Sequence, residues 1–153
     1  MINIVFATET GTAEGLAGDA SDKLGQNGLE NRIVDLSETS LDEISEMETF
    51  VAIVSTWGDG EPPSDSEDLF QELRESSLDL SKMKFSVLSL GDTSYDLFCQ
   101  FGKDLDAELD KRGARRILPR VDCDIDYDEP FDEWLDTLIQ VLKNEVHTEA
   151  AGV

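Results

Sequence analysis

Cysteine is nearly absent. Two residues, Cys99 and Cys123, in a chain of 153 cannot staple a disulfide-built domain, which would be smaller and denser in cysteine. Nor do they have the C-x-x-C spacing of a redox dithiol. They read as two semi-buried free thiols in a reducing, cytoplasmic compartment. Long apolar runs are missing too. Residues 2–7, interrupted by Asn3, and residues 50–54 are the longest, against the roughly 18 to 20 that a membrane span requires. The chain passes directly into a strand pattern, so no signal peptide is expected ahead of the fold. Basic residues are few: 12 Lys and Arg face 35 Asp and Glu, a net charge of −23. Nucleic acid and anionic membrane are therefore excluded as natural partners. Two explanations of the acid remain, steering of a basic protein partner and a general surface adaptation such as a high-salt cytosol. The acid is uneven, with eight acidic residues across positions 122–136 and three across 64–68.

What is present is a strand followed by a helix, five times over. Apolar runs predict strands over 1–7, 32–36, 50–54 and 85–90, and a more polar edge strand over 116–121 that Pro119 breaks. Leu16, Ala20 and Leu24 share one face of a helix over Thr12–Gln26. Ser40, with Glu43 three residues on, predicts a capping box opening a short helix over 41–47. Pro62 and Pro63 suit the entrance of a helix that runs to about Ser76. Phe98, Phe101, Leu105 and Leu109 predict a helix over 97–112, and Phe131, Trp134, Leu135, Leu138 and Leu142 one over 131–142. One domain over 1–145 with a frayed tail over 146–153 accounts for the whole chain. The alternation implies a parallel sheet, whose ligands lie outside the carboxyl ends of the strands. The polar and glycine-rich segments fall at those ends, after the first, third and fourth strands and, as Asp122 to Asp124, after the fifth, so that four loops converge on one rim.

After the first predicted strand come Thr8, Glu9, Thr10, Gly11, Thr12 and Ala13. This loop lacks G-x-G-x-x-G and also lacks the lysine of a nucleotide-triphosphate loop. It offers three hydroxyls, a glycine and a helix start, which can hold a phosphate dianion without any basic residue. An ordinary hydroxyl-rich helix cap is the other reading. After the third strand come Ser55, Thr56, Trp57, Gly58, Asp59 and Gly60; after the fourth, Gly91, Asp92, Thr93, Ser94 and Tyr95. Trp57 and Tyr95, on neighbouring loops, suit a clamp on a flat ring system; alternatively each aromatic covers a sheet end. Gly58 and Gly60 allow backbone at φ > 0, so the peptide after Trp57 is free to turn its N–H or its C=O toward a ring.

These three loops together, continued through Asp96, Leu97, Phe98 and Cys99, resemble the flavodoxin-like family. The resemblance includes the FMN domains of sulfite reductase flavoprotein and cytochrome P450 reductase. It extends through Gly102 to Asp106, Gly113 to Arg115 and Arg120 to Asp124, and on to Trp134. It implies a three-layer α/β sandwich with a five-stranded parallel sheet in the order 2-1-3-4-5 and FMN on its rim. By position, Thr8 to Ala13 hold the phosphate, Ser55 to Gly58 form one wall of the ring site, with Asp59 and Gly60 also among the cofactor-binding residues, and Leu90 to Cys99 form the other wall. Tyr95 is then the stacking tyrosine, and Asp122 matches an acidic residue of the family's flavin site. Trp57 stands where the reductases carry tyrosine. The implied role is that of an electron carrier without independent catalysis or metal, shuttling electrons singly through a neutral semiquinone. Its implied partners are basic-surfaced redox proteins, such as a ferredoxin/flavodoxin-type reductase and an acceptor enzyme, and it would act as a monomer. An FMN-dependent quinone reductase and an excised domain of a diflavin reductase are the alternatives. The chain ends without a reductase module, and its Met1 start favours a free, short-chain protein. A receiver domain, which shares the strand order, would need aspartates where Thr8, Glu9, Ser55 and Thr56 stand, and a lysine after strand five.

Overall fold

Strand β1, Ile2–Ala7, is buried at all six positions, as a strand covered on both faces must be. The structure, a computed structural model, describes residues 1–56 and 60–151, with side chains described through residue 145. β1 pairs in parallel with β2, Asn31–Asp35, on one side and with β3, Thr49–Ser55, on the other. β3 pairs in turn with β4, Lys84–Leu90, in a register that sets Ile53 beside Leu88. With a fifth position beyond β4, the order is the expected 2-1-3-4-5.

The fifth position departs from the single strand expected over 116–121. It is filled by two pieces, β5, Arg115–Arg116, beside Lys84 and Phe85, and β6, Val121–Cys123, beside Leu88 to Leu90. Pro119 lies between them and has no N–H to give a ladder. The gap is held instead by the Ile117 N–H on the Phe85 carbonyl and by the Ser86 hydroxyl on the Leu118 carbonyl.

Successive strand residues point to opposite faces, so the sheet has two cores. One face, with Ile4, Phe6, Ile53 and Leu88, is covered by helices α1, Thr12–Gln26, and α5, Asp128–Ala151. There the Trp134 indole N–H donates to the buried Ser86 hydroxyl at 3.0 Å. The other face, with Val5, Phe50, Val54 and Phe85, is covered by α2, Leu41–Ser45, α3, Glu67–Glu75, and α4, Gln100–Lys111. α4 lies so close to β4 that a Cβ on Gly102 would stand 2.3 Å from that of Ser89.

Several helix ends differ from expectation, among them the start of α5, at Asp128 rather than residue 131, and the end of α2, at Ser45 rather than residue 47. α4 begins at Gln100 rather than at residue 97, because Cys99 takes φ 53, outside any helix. α3 follows a 3-10 turn over Ser64–Ser66, so the two prolines stand a turn ahead of it. α5 runs through Ala151 rather than stopping at residue 142, since residues 143–151 contain no glycine or proline. At α2, Ser40 caps as expected by accepting the Glu43 N–H, but the Glu43 carboxylate accepts the Ser40 hydroxyl rather than its backbone N–H.

Candidate functional site

The carboxyl ends of β1, β3, β4 and β6 share one rim of the sheet. Between β1 and β3 the strand order reverses, so the loops that follow them leave in opposite directions and open a crevice. Gly11 ends the loop after β1 at φ 94 and forms the N-cap of α1. Its own N–H is held by the Thr8 hydroxyl at 2.8 Å, which stabilises the left-handed turn. Among the described residues no side chain caps α1. The N–H groups of its first turn therefore face outward unpaired, with the positive end of the helix dipole behind them. This is not a hydroxyl-capped helix. Among the described residues the Thr10 and Thr12 hydroxyls also lack partners, while Ala13 is buried beneath the turn. Glu9 is turned away from α1: its carboxylate accepts the Ser64 N–H at 2.9 Å and the Ser64 hydroxyl at 3.2 Å.

That uncapped turn opens on a cavity of about 520 Å³, within the range of cofactor sites. Glu9, Thr10, Thr12, Ser55, Thr56, Leu90, Gly91, Asp92, Tyr95, Leu97, Phe98 and Cys99 line it, all of them expected from the sequence. Trp57, Gly58 and Asp59 lie outside the described residues. The remaining expected residues line no part of the cavity. Thr8, Gly11 and Ala13 build the turn below it, Thr93, Ser94 and Asp96 are exposed on the outer side of the loop after β4, and Gly60 packs on Leu97. Among the described residues no lysine or arginine lines the cavity.

Several walls are fixed from a distance. Thr56 donates its N–H to the Leu90 carbonyl at 3.0 Å, and its hydroxyl accepts the Phe101 N–H at 3.1 Å. It thus caps α4 across the sheet, where Cys99 supplies no side-chain cap. Gly91 leaves no room for a side chain, because a Cβ there would stand 2.9 Å from Cys99 Sγ. In the same loop Asp92 accepts the Ser94 N–H and hydroxyl, and its carbonyl accepts the Tyr95 N–H. Tyr95 is left 55% exposed at the cavity mouth.

A further wall joins Asp124, whose segment was expected at the rim, to two residues that were not expected, Ile125 and Tyr127. It comes from the loop after β6. The Asp124 carboxyl is held below the usual carboxylate range by the Thr93 hydroxyl, the Thr93 N–H and the Ile125 N–H. Asp122, expected at the ring, projects from β6 onto the α4 face. There Arg120 neutralises it at 2.9 Å, and Arg120 and Arg116 share Asp106 at 3.4 and 2.7 Å. Asp122 does not line the cavity.

The two thiols are fully buried rather than semi-buried. Cys99 Sγ donates to the Ser89 and Cys123 carbonyls, both at 3.6 Å. Burial pushes Cys99 up to about 11 and Cys123 up to about 12, so neither is a thiolate at neutral pH. Among the described residues no helix is long and apolar enough to cross a membrane.

Residues 4–134 match the model of the flavodoxin family. The chain is 39% identical over 142 residues to the sulfite reductase [NADPH] flavoprotein alpha-component of Bacillus subtilis, covering 92% of this chain and 24% of that one. It is 36% identical over 145 residues to the same component of Neisseria meningitidis, covering 94% of this chain and 24% of that one. It thus spans about a quarter of the length of these curated relatives. Among solved structures, the flavodoxin of Streptococcus pneumonia TIGR4 superposes with a TM-score of 0.82 at 29% identity, covering 94% of this chain and 98% of that one. A cysteine-to-alanine mutant of flavodoxin from Pseudomonas aeruginosa gives 0.80 at 28%, covering 93% and 98%.

Proposed function

The chain belongs to the flavodoxin family of FMN-based electron carriers, and from that premise we propose that its rim cavity holds one FMN and that its acidic mouth docks basic redox partners. The observation that supports the binding mode is the uncapped start of α1, opening on a cavity that has no basic side chain among the described residues but has apolar walls at Leu90, Phe98 and Tyr127. A phosphate dianion fits the first and a flat ring the second. The N–H groups of Thr12, Ala13 and Glu14 and the hydroxyls of Thr10 and Thr12 would hold the phosphate. Ser55, Thr56 and the 90–99 loop would bound the ring, with Tyr95 stacked at its exposed side. FMN, when bound, supplies the capacity to take up and release electrons singly. The protein orients it, keeps water from most of it and leaves one edge open to a partner. Asp92 and Asp124, both in the lining, oppose negative charge on the ring, whereas Arg120 offsets Asp122.

Exposed Tyr95, Leu97 and Ile125 make an apolar patch at the mouth, beside the exposed carboxylates Asp96, Asp126, Asp128 and Glu129. Such a face suits a ferredoxin/flavodoxin-type reductase and an acceptor enzyme whose own cofactors lie within basic rims. We place the protein in the cytoplasm as a monomeric carrier, working alone or as the FMN module of a larger diflavin protein. Stopped-flow reduction of the FMN-loaded protein by such a reductase tests the docking. The rate should fall steeply between ~0.05 and ~0.5 M salt, as steered association does. A rate indifferent to salt would assign the acid to general surface adaptation.

A further inference from the structure

Two loops meet at one wall of the cavity, residues 91–95 after β4 and residues 124–127 after β6. At their base the sheet joins them, through the Gly91 N–H on the Cys123 carbonyl at 2.9 Å. Farther out, the bonds that Asp92 makes to Ser94 and Tyr95 are internal to the first loop. They shape that loop but do not fix its distance from the second. Among the described residues, the side chain that spans the two is Asp124. One carboxylate oxygen accepts the Thr93 N–H at 3.0 Å and the Ile125 N–H at 2.8 Å, and the other accepts the Thr93 hydroxyl. Thr93 lies 31 residues earlier in the chain, so this is no local turn.

We propose that Asp124 is a positioning residue for FMN, a latch that fastens the Thr93 loop to the loop after β6 and so sets the Tyr95 wall before the cofactor arrives. The proposal rests on the FMN reading above. Three donors on one carboxylate use most of its acceptor capacity, which a charge acting on the ring from a distance would not require. The residues flanking the latch, Tyr95 and Ile125, both line the cavity and are 55% and 68% exposed. With so little packing of their own, they depend on the loops that carry them. Holding them in advance removes an ordering cost that binding would otherwise meet.

Three variants separate a latch from a charge. Asp124→Ala removes both the acceptors and the charge. Asp124→Asn keeps a carbonyl oxygen for the two N–H groups but removes the charge. Thr93→Val keeps the charge and removes one bond. Hydrogen exchange of the Thr93 amide in the apoprotein, and FMN affinity by fluorescence titration, are the two readouts. Asp124→Ala should speed Thr93 exchange and weaken FMN binding about tenfold, the scale of one charge-assisted bond. Thr93→Val should show an intermediate loss in affinity, and Asp124→Asn should stay closer to the parent than Asp124→Ala. Unchanged Thr93 exchange in Asp124→Ala would overturn the latch. So would equal losses for Asp124→Asn and Asp124→Ala with Thr93→Val unaffected. Failure of the parent to bind FMN would strike the FMN reading alone, since Thr93 exchange in the apoprotein still decides the latch.

Discussion

Replacing Thr12 by valine removes one hydroxyl from the mouth of α1 and leaves the side chain's branching unchanged. The Thr12 hydroxyl has no partner among the described residues and lines the cavity. The Thr8 hydroxyl, four residues earlier, is already committed to the Gly11 N–H at 2.8 Å. The two threonines should therefore fail differently. A hydrogen bond to a charged phosphate contributes about 1.5–3 kcal/mol, so Thr12→Val should weaken FMN binding about 10- to 150-fold. Riboflavin, which carries no phosphate, should bind the variant about as well as it binds the parent. Thr8→Val instead loosens the turn that presents the first N–H groups of α1. It loses a neutral bond worth about 0.5–1.5 kcal/mol, part of it from the stability of the apoprotein. Calorimetric titration of each apoprotein with FMN and with riboflavin, at one fixed ionic strength, separates these cases. Equal losses of FMN and riboflavin affinity in Thr12→Val, or no loss of either, would refute the phosphate assignment.

Gly102→Ala should destabilise the fold by about 2 kcal/mol, because its Cβ would stand 2.1 Å from the Ser89 hydroxyl, an overlap at the upper end of the roughly 1–3 kcal/mol that overpacking costs, offset by the ~1 kcal/mol of helix propensity that alanine adds. Urea unfolding measures this, and a variant as stable as the parent would show that α4 shifts freely on β4. Cys99 and Cys123 should resist a thiol reagent at about pH 8 until the protein unfolds. Both keep their protons in the folded chain where an unfolded chain has lost them, so their stabilising effect is complete below pH 9 and lost as the pH rises through about 11 for Cys99. Rapid labelling of the native protein would contradict their burial.

Much of this architecture is legible in the sequence because burial on both faces leaves plain marks. The run over residues 50–54 of β3 is continuous and apolar, those of β1 and β4 are apolar apart from Asn3 and from Ser86 and Ser89, and the expected bounds of α1 coincide with those observed. The start of α4 is another matter. Leu97 and Phe98 continue an apolar helical spacing, yet the helix is interrupted by one left-handed residue and capped by Thr56, 45 positions before the N–H that it accepts. No local pattern carries that information. The acidic stretch misled in the same way. Asp122 and Asp124 look alike in a run of carboxylates, but strand alternation turns Asp122 toward Arg120 while Asp124, just past the strand, reaches Thr93. Charge counting cannot say which carboxylate is neutralised. Ile125 and Tyr127 did offer a signal, since Tyr127, like Tyr95, is an aromatic just past a strand end. It was hidden by the acidic residues between which they alternate.

Equilibrium titration of the purified apoprotein with FMN, followed by the quenching of flavin fluorescence, tests the central claim most directly. Quenching should saturate at one FMN per chain, with FAD unable to compete at equal concentration, because the mouth of α1 suits a terminal dianion rather than a buried pyrophosphate. A folded protein that leaves FMN fluorescence unchanged, or that takes up FAD as readily as FMN, would contradict it.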